Sequence, residues 1–312
     1  MKIGYIGLGK MGKNMVLHLL EQGIEVVAWN RSPEPREEVK KAGAETVESV
    51  EELVEKLRDK ETKRQSGEGI IVWLMLPAGE TTDEFIDKLV PLLDKGDLIV
   101  DGANSFYKDT LRRSERLKRE GIEFMDIGVS GGPGGARIGA CLMIGGSEHN
   151  YERALEVVKA ASSPDAYGHF GPVGAGHFAK MVHNGIEYGM MEALAEGVNI
   201  MDKSQFDFNM SEVLRVYNNG SVIESRLVGW LLNAIKEDPK LSDIATKIGS
   251  TGEGEWTAKT ADELEVDARV IKDSYMVRQE SERVKESDKD AFRNKAVSAM
   301  RGQFGQHAVK KS

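Results

Sequence analysis

The 312-residue sequence predicts an α/β N-terminal domain with a Rossmann-type doubly wound sheet, followed by an all-α C-terminal domain. Three observations carry that expectation. Up to about residue 175, short apolar runs alternate with longer helical patterns, and alternation at this spacing implies parallel strands joined by right-handed crossovers. The first apolar run leads straight into Gly7-Leu8-Gly9-Lys10-Met11-Gly12. Beyond residue 175 the strand signals stop, and the helical pattern Gly176–Lys203 opens a region of helical segments broken by polar turns. The expected parts are a dinucleotide-binding domain over 1–175, an all-helical domain over 176–300, and a tail over 301–312.

Taken in order, Lys2–Ile6, Glu25–Trp29, Ile70–Leu76, Leu98–Asp101 and Glu123–Ile127 read as strands, short and rich in Ile, Val and Leu. Helical patterns fall near 11–22, 34–42, 81–93 and 107–120. Glu55–Gly69 is dense in charge and reads as a solvated helix end and loop. Arg283–Lys295 reads as an exposed helix face. His18, on the first helix, reads as a surface or packing residue.

Lys and Arg number 42 against 51 Asp and Glu, a formal net charge of −9. Such a chain is repelled by the phosphates of nucleic acids and by anionic membranes. No apolar stretch reaches the roughly 18 residues of a membrane span, and residues 1–6 already read as a strand where a signal peptide would lie. Cys141 is the sole cysteine, which excludes an internal disulfide and a cysteine-based metal cluster; its apolar strand-like surroundings predict a buried, inert thiol. The expectation is a cytoplasmic enzyme without a metal.

The glycine run supplies the first site. Gly7 permits a tight turn, Gly9 lets a pyrophosphate approach the backbone, and Gly12 allows close helix–strand packing, while the helix N-terminus presents free N–H groups to phosphate. Which dinucleotide is read at the end of the second strand. A carboxylate there accepts the ribose hydroxyls of NAD, but this chain has Trp29-Asn30-Arg31-Ser32. Arg31 offers a planar charged fork to a 2′-phosphate, flanked by neutral polar groups. NADP is therefore expected, with NAD possible.

Three further segments are chemically dense: DGANSFYKDT at 101–110, DIGVSGGPGGARIGACLMIGG at 126–146 and GPVGAGHFAKMVHNGIEYG at 171–189. The first follows a strand, at the sheet edge where open α/β sheets bind ligands. The second is too glycine-rich for a plain strand pair. In the third, Lys180, His183, Asn184, Glu187 and Tyr188 fall at i, i+3, i+4, i+7 and i+8, on one helical face. Phe178, Met181, Val182, Ile186 and Met190 form an opposing face able to pack.

On these residues the sequence resembles the decarboxylating 6-phosphogluconate dehydrogenases, in the short form of that family. The likeness covers nearly the whole chain: GLGKMG, NRS, DGANSFYKDT, GVSGGPGGARIGACLMIGG, GAGHFAKMVHNGIEYG, GEGEWT, Arg278 and Arg301-Gly-Gln-Phe-Gly-Gln-His307. The wider 3-hydroxyacid dehydrogenases share the glycine loop and a helical Lys. Position by position, the resemblance implies Lys180 as general base and Glu187 as general acid. It implies Asn104, Ser130, Gly131, Gly132, His183 and Asn184 around the substrate carboxylate and hydroxyls. Tyr188, Arg278 and Arg301 fall at phosphate contacts and His307 at a further substrate contact, the segment Arg301–His307 being implied to complete the active site of a neighbouring subunit. Cofactor contacts fall at Gly7, Leu8, Gly9, Lys10, Met11, Gly12, Asn30, Arg31, Ser32, Leu76, Pro77, Ala78 and Asn104. One departure precedes Trp256: many members have a phosphate-binding Lys five residues earlier, where this chain has Thr251, and Glu255 beside the Trp is acidic.

The chemistry so implied is removal of a hydroxyl proton by a neutral Lys180, provided burial or nearby cations favour the uncharged amine. A keto group at C3 then accepts the electrons released with CO2, and protonated Lys180 stabilises the enolate oxygen. Glu187, two helical turns and about 10 Å along the axis, protonates the enediol carbon that becomes C1 of the product. The expected product is ribulose 5-phosphate, in the pentose phosphate pathway and in gluconate utilisation. The alternatives are a 3-hydroxyacid dehydrogenase for an unphosphorylated sugar acid such as gluconate, and a non-catalytic NADP-binding regulator. The expected partners are a phosphorylated sugar acid and a second copy of the chain, as a homodimer or higher homo-oligomer.

Overall fold

The computed structural model describes residues 1–58, 69–306 and 309–310. The chain divides into two compact units, Met1–Lys180 and Met181–Ser312. The first unit is built on one eight-stranded sheet. Its strands are β1 (Lys2–Ile6), β2 (Glu25–Trp29), β3 (Glu45–Thr46), β4 (Ile71–Leu74), β5 (Leu98–Asp101), β6 (Glu123–Ser130), β7 (Ala140–Gly145) and β8 (Ser162–His169), in the order β3-β2-β1-β4-β5-β6-β7-β8. All neighbours pair in parallel except β6 and β7.

The helices of this unit are α1 (Lys10–Glu21), α2 (Pro33–Lys41), α3 (Val50–Leu57), α4 (Glu80–Leu89), α5 (Tyr107–Glu120), α6 (Gly132–Ile138) and α7 (Glu148–Ala161). They cover both faces of the sheet, so β4 and β5 are buried along their whole length and read as unbroken apolar runs. On one face Tyr5 stacks on Trp73, ring centres 6.1 Å apart, among Val26, Val100 and Ile127. On the other, Ile6, Val72 and Ile99 pack with Leu53 and Phe85. Local signals set the helix starts: the Ser49 hydroxyl accepts from the Glu52 N–H of α3, and Ser147 does the same for Asn150 in α7.

Several expectations are corrected here. The glycine-rich 126–146 segment does hold a strand pair, with Asp126 opposite Gly145 and Ser130 opposite Cys141. Helix α6 fills the connection, and that is where the glycines concentrate. Cys141 is exposed; on β7 its neighbours Ala140 and Leu142 are buried, so the pleat turns the thiol outward. The short β3, α3, and the pair α7 and β8 carried no signal strong enough to be read.

Helix α8 (Ala175–Asp202) crosses from the first unit into the second. The second unit continues with α9 (Met210–Tyr217), α10 (Arg226–Glu237), α11 (Glu253–Glu263), α12 (Arg269–Glu280) and α13 (Ala291–Gly305). Its core joins Met191, Ala195 and Val198 of α8 to Val228 and Leu231 of α10 and Val297 and Met300 of α13. The expected packing face of α8 is only partly covered, for Met181 is buried whereas Ile186 is 51% and Met190 45% exposed. Arg283–Lys295 is not an exposed helix: α13 starts only at Ala291, and Lys295 is buried beside Glu286. Among the described residues, no helix is long and apolar enough to cross a membrane.

Candidate active site

In the first unit, the turn between β1 and α1 forms a cradle of backbone. Gly7 has φ +102°, and a Cβ there would lie 2.3 Å from the Met75 carbonyl oxygen. A Cβ on Gly12 would lie 2.0 Å from the Gly7 carbonyl oxygen, so α1 can approach β1 only without a side chain. The space beside Gly9 is open, and no side chain caps α1. A helix N-terminus without a side-chain cap favours an anion. The Asn30 side chain braces the turn, its Oδ1 accepting from Leu8 N–H at 2.9 Å and its Nδ2 donating to the Ser32 carbonyl at 3.1 Å. Arg31 is exposed and has no ion-pair partner among the described residues. Lys10 and Met11 open α1. Leu76, Pro77 and Ala78 form the loop after β4, with the Leu76 side chain against Gly7 and the Pro77 carbonyl accepting from Thr82.

The loop after β5 is held from beneath. Asp101 is fully buried and pairs with Arg113 at 3.1 Å. Its two oxygens also accept from the Ala103 N–H and the Ser105 hydroxyl. Arg113 further donates to Asp83, Ser105 and the Gly79 carbonyl. Such a satisfied buried network makes the loop rigid, and it presents Asn104, whose Oδ1 lies 3.4 Å from Val129 N. Ser130, Gly131 and Gly132 follow at the end of β6 and the start of α6.

Lys180 is the last residue of the first unit and is buried, its Cβ close against Gly128 of β6. Nearby, the buried Asp126 carboxylate accepts from Gly174 N–H and His177 N–H. Burial raises its pKa, against the lowering effect of His177 and of those two N–H groups.

In the second unit, α8 carries His183, Asn184, Glu187 and Tyr188. His183 Nδ1 lies 2.9 Å from Asn184 Oδ1 and 3.9 Å from Glu187 Oε2. The buried Tyr188 ring lies against Gly254, and its hydroxyl is 3.1 Å from Ser250 Oγ. The Arg278 guanidinium carbon sits 3.1 Å from the centre of that ring. Arg278 and Arg301 are both buried, and neither has an ion-pair partner among the described residues. Burial, with the second guanidinium nearby, lowers the Arg278 pKa to about 10, and burial lowers that of Arg301. Glu187, Glu192 and Glu253 favour the charged forms only from beyond ion-pair distance, and two buried cations without a direct carboxylate contact are unfavourable; a phosphate would relieve both.

The start of the expected tail continues a helix: Arg301 lies within α13, packed against Gly249 and near Arg278. Val309 accepts from Ala245 N–H, and Lys310 pairs with Ile244. His307 lies outside the described residues. Thr251 is exposed.

Sequence reasoning gave no role to Asp101, Arg113, Asp126, His177 or Ser250. A signal existed for the two aspartates: each interrupts an apolar run that must be buried, and a buried carboxylate demands partners.

Comparisons with known proteins agree along the chain. Residues 2–171 match the family model of the NAD binding domain of 6-phosphogluconate dehydrogenase, and residues 176–311 that of the 6-phosphogluconate dehydrogenase C-terminal domain. YqeC of Bacillus subtilis is 40% identical over the full length of both chains. The NAD(+)-dependent, decarboxylating 6-phosphogluconate dehydrogenase of Haloferax volcanii is 38% identical, over 99% of this chain and 98% of its own. Among solved structures, Plasmodium falciparum 6-phosphogluconate dehydrogenase, studied with NADP+ and with 6-phosphogluconate, superposes with a TM-score of 0.78 at 29% identity, over 96% of this chain and 70% of its own. A Mycobacterium tuberculosis 3-hydroxyisobutyrate dehydrogenase shares the fold, with a TM-score of 0.71 at 18% identity, over 96% of this chain and 99% of its own.

Proposed function

The chain belongs to the 6-phosphogluconate dehydrogenase family, whose members are NAD(P)-dependent oxidoreductases, and from that premise we propose that it converts 6-phospho-D-gluconate to D-ribulose 5-phosphate and CO2. The observation that carries the substrate is the buried pair Arg278 and Arg301, two guanidiniums without a carboxylate partner among the described residues. A phosphate dianion matches that charge, and the Tyr188 and Ser250 hydroxyls add neutral donors beside it.

The backbone cradle of Gly7–Gly12 fits a pyrophosphate, since a Cβ on Gly12 would close it and no side chain caps the helix end. Arg31 would hold a 2′-phosphate, which supports NADP; the Haloferax relative is named for NAD+, so cofactor choice is decided by measurement. When bound, the nicotinamide takes up hydride from C3. Lys180 removes the C3 hydroxyl proton, leaving the 3-keto acid. Loss of CO2 moves the C1–C2 bonding electrons toward the C3 oxygen, to which Lys180 returns its proton, giving the enediol. Glu187 protonates the former C2, which becomes C1 of the product, while the C3 hydroxyl gives its proton back to Lys180 and becomes the ketone. Asn104, Ser130 and the turn at Gly131 and Gly132 orient the carboxylate end, while His183 and Asn184 bind hydroxyls.

A phosphorylated product cannot cross a lipid bilayer unaided, which supports a cytoplasmic place in the pentose phosphate pathway. The exposed apolar residues Ile186, Met190, Val266 and Val270 of the second unit support self-association as a homodimer.

The test is NADPH absorbance together with CO2 release, with 6-phosphogluconate and gluconate compared side by side, each with NADP and NAD. Turnover of 6-phosphogluconate alone, with equal reduction and CO2, supports the proposal. Equal turnover of gluconate overturns the phosphate reading, and binding of NADP without turnover of any sugar acid leaves a regulator.

A further inference from the structure

β6 and the first turn of α8 meet through an arrangement that the reaction scheme leaves unused. Gly174 precedes α8, and a helix normally satisfies its first donors with a local Ser, Thr, Asn or Asp there. Gly174 has no side chain to do so. Instead Asp126, on β6, accepts from Gly174 N–H at 2.6 Å and from His177 N–H at 2.7 Å. These are the N-cap and N3 groups, the pair that a capping box serves from within the helix; here a strand serves them from outside. Two residues further along the same strand, on the same face, a Cβ on Gly128 would lie 2.3 Å from Lys180 Cβ. His177 and Lys180 are three residues apart, one turn of helix. His177 Nδ1 also lies 2.7 Å from Thr110 Oγ1 of α5, which ties the turn to a third element.

We infer that Asp126 is a positioning residue for Lys180: by holding the N-terminus of α8 on β6, it sets the height and rotation at which the Lys180 amine is presented. The inference rests on the reading of Lys180 as the general base. Asn at 126 has one oxygen and an NH2, so it can keep one of the two helix bonds and must turn a donor toward the other N–H. The helix end then moves, and a shift of about 1 Å at a base is enough to cost up to 100-fold in rate.

The test compares Asp126→Asn, Lys180→Met and the double variant in the full-length chain, with cofactor affinity and melting temperature measured beside kcat and KM. Asp126→Asn is expected to lower kcat tenfold or more, with KM for 6-phosphogluconate and the cofactor Kd within threefold of the parent. Gly128→Ala, which displaces Lys180 by shape alone, is expected to show the same split and stands in if Asp126→Asn fails to fold. In the double variant, Asp126→Asn should leave the residual rate of Lys180→Met unchanged, because its effect passes through the amine. A lowered melting temperature with kcat intact means that Asp126 only stabilises the fold, and overturns the positioning role. A further loss in the double variant also overturns it. If Lys180→Met turns over like the parent, the base assignment itself fails, whatever Asp126→Asn does, and the two failures are thereby told apart.

Discussion

The Arg278 guanidinium carbon lies over the ring of Tyr188, 3.1 Å from its centre, and both side chains are buried. A cation on an aromatic face is held in plane and in place without a counter-charge being consumed. One Arg278 nitrogen donates to the Met191 sulfur, and neither Arg278 nor Arg301 is in an ion pair among the described residues, which leaves charge for an anion to satisfy.

Arg278→Lys should therefore be far from conservative. An ammonium keeps the charge but loses the planar fork, so KM for 6-phosphogluconate should rise by roughly 10–100-fold, the equivalent of about 1.5–3 kcal/mol for a charged hydrogen bond. Cofactor Kd should stay within twofold. A parallel rise in both would mean that Arg278 supports the fold rather than the phosphate.

Arg301→Ala should weaken 6-phosphogluconate much more than gluconate, because only the former carries the phosphate. Arg301 lies near the Arg278 of its own chain, and mixing Arg301→Ala with Lys180→Met subunits tells which Lys180 that pair serves: hybrids no more active than the Arg301→Ala parent assign it to the same chain. Recovery of full activity in the hybrid would show that the segment acts across subunits.

Arg31→Ala should weaken NADP by about 1.5–3 kcal/mol while NAD changes little. Titration of both cofactors by fluorescence checks this, and equal losses would remove Arg31 from the 2′-phosphate. Gly12→Ala should instead weaken both cofactors by tenfold or more, for its Cβ would meet the Gly7 carbonyl at 2.0 Å and force α1 off the strand.

The last prediction concerns pH. Burial pushes the Glu192 carboxyl up to about 7, although Arg293 lies 3.2 Å away. The folded protein then holds this proton where the unfolded chain has released it. Stability from this group is present in full below about 4.5 and is lost as pH rises through about 7. Melting temperature should fall across that window, and Glu192→Gln should flatten the fall. An unchanged slope in the variant would assign the dependence to other groups.

Much of the first unit was legible because its signals are local. β1, β2, β5 and α5 follow from apolar runs and helical periods that survive burial unchanged. The glycine turn is legible for the same reason, since Gly7 and Gly12 answer to atoms of neighbouring backbone. What escaped has a common cause. β7 is hemmed in by Gly139, Gly145 and Gly146, and α6 is too rich in glycine and proline to look helical; both depend on β6 for their place. Cys141 looked buried because residue type sets the odds of burial, while the pleat decides the side.

The sequence by itself determined the fold class, the glycine turn after β1, the polar stripe on α8 and the family, because each is written in spacing along the chain. Only the tertiary structure decided that Asp126 caps a helix nearly fifty residues away, that Arg278 lies on Tyr188, and that Arg301 joins them from α13 of its own chain. Those relationships link residues distant in sequence through hydrogen bonds and stacking, and such contacts exist only once the chain has packed.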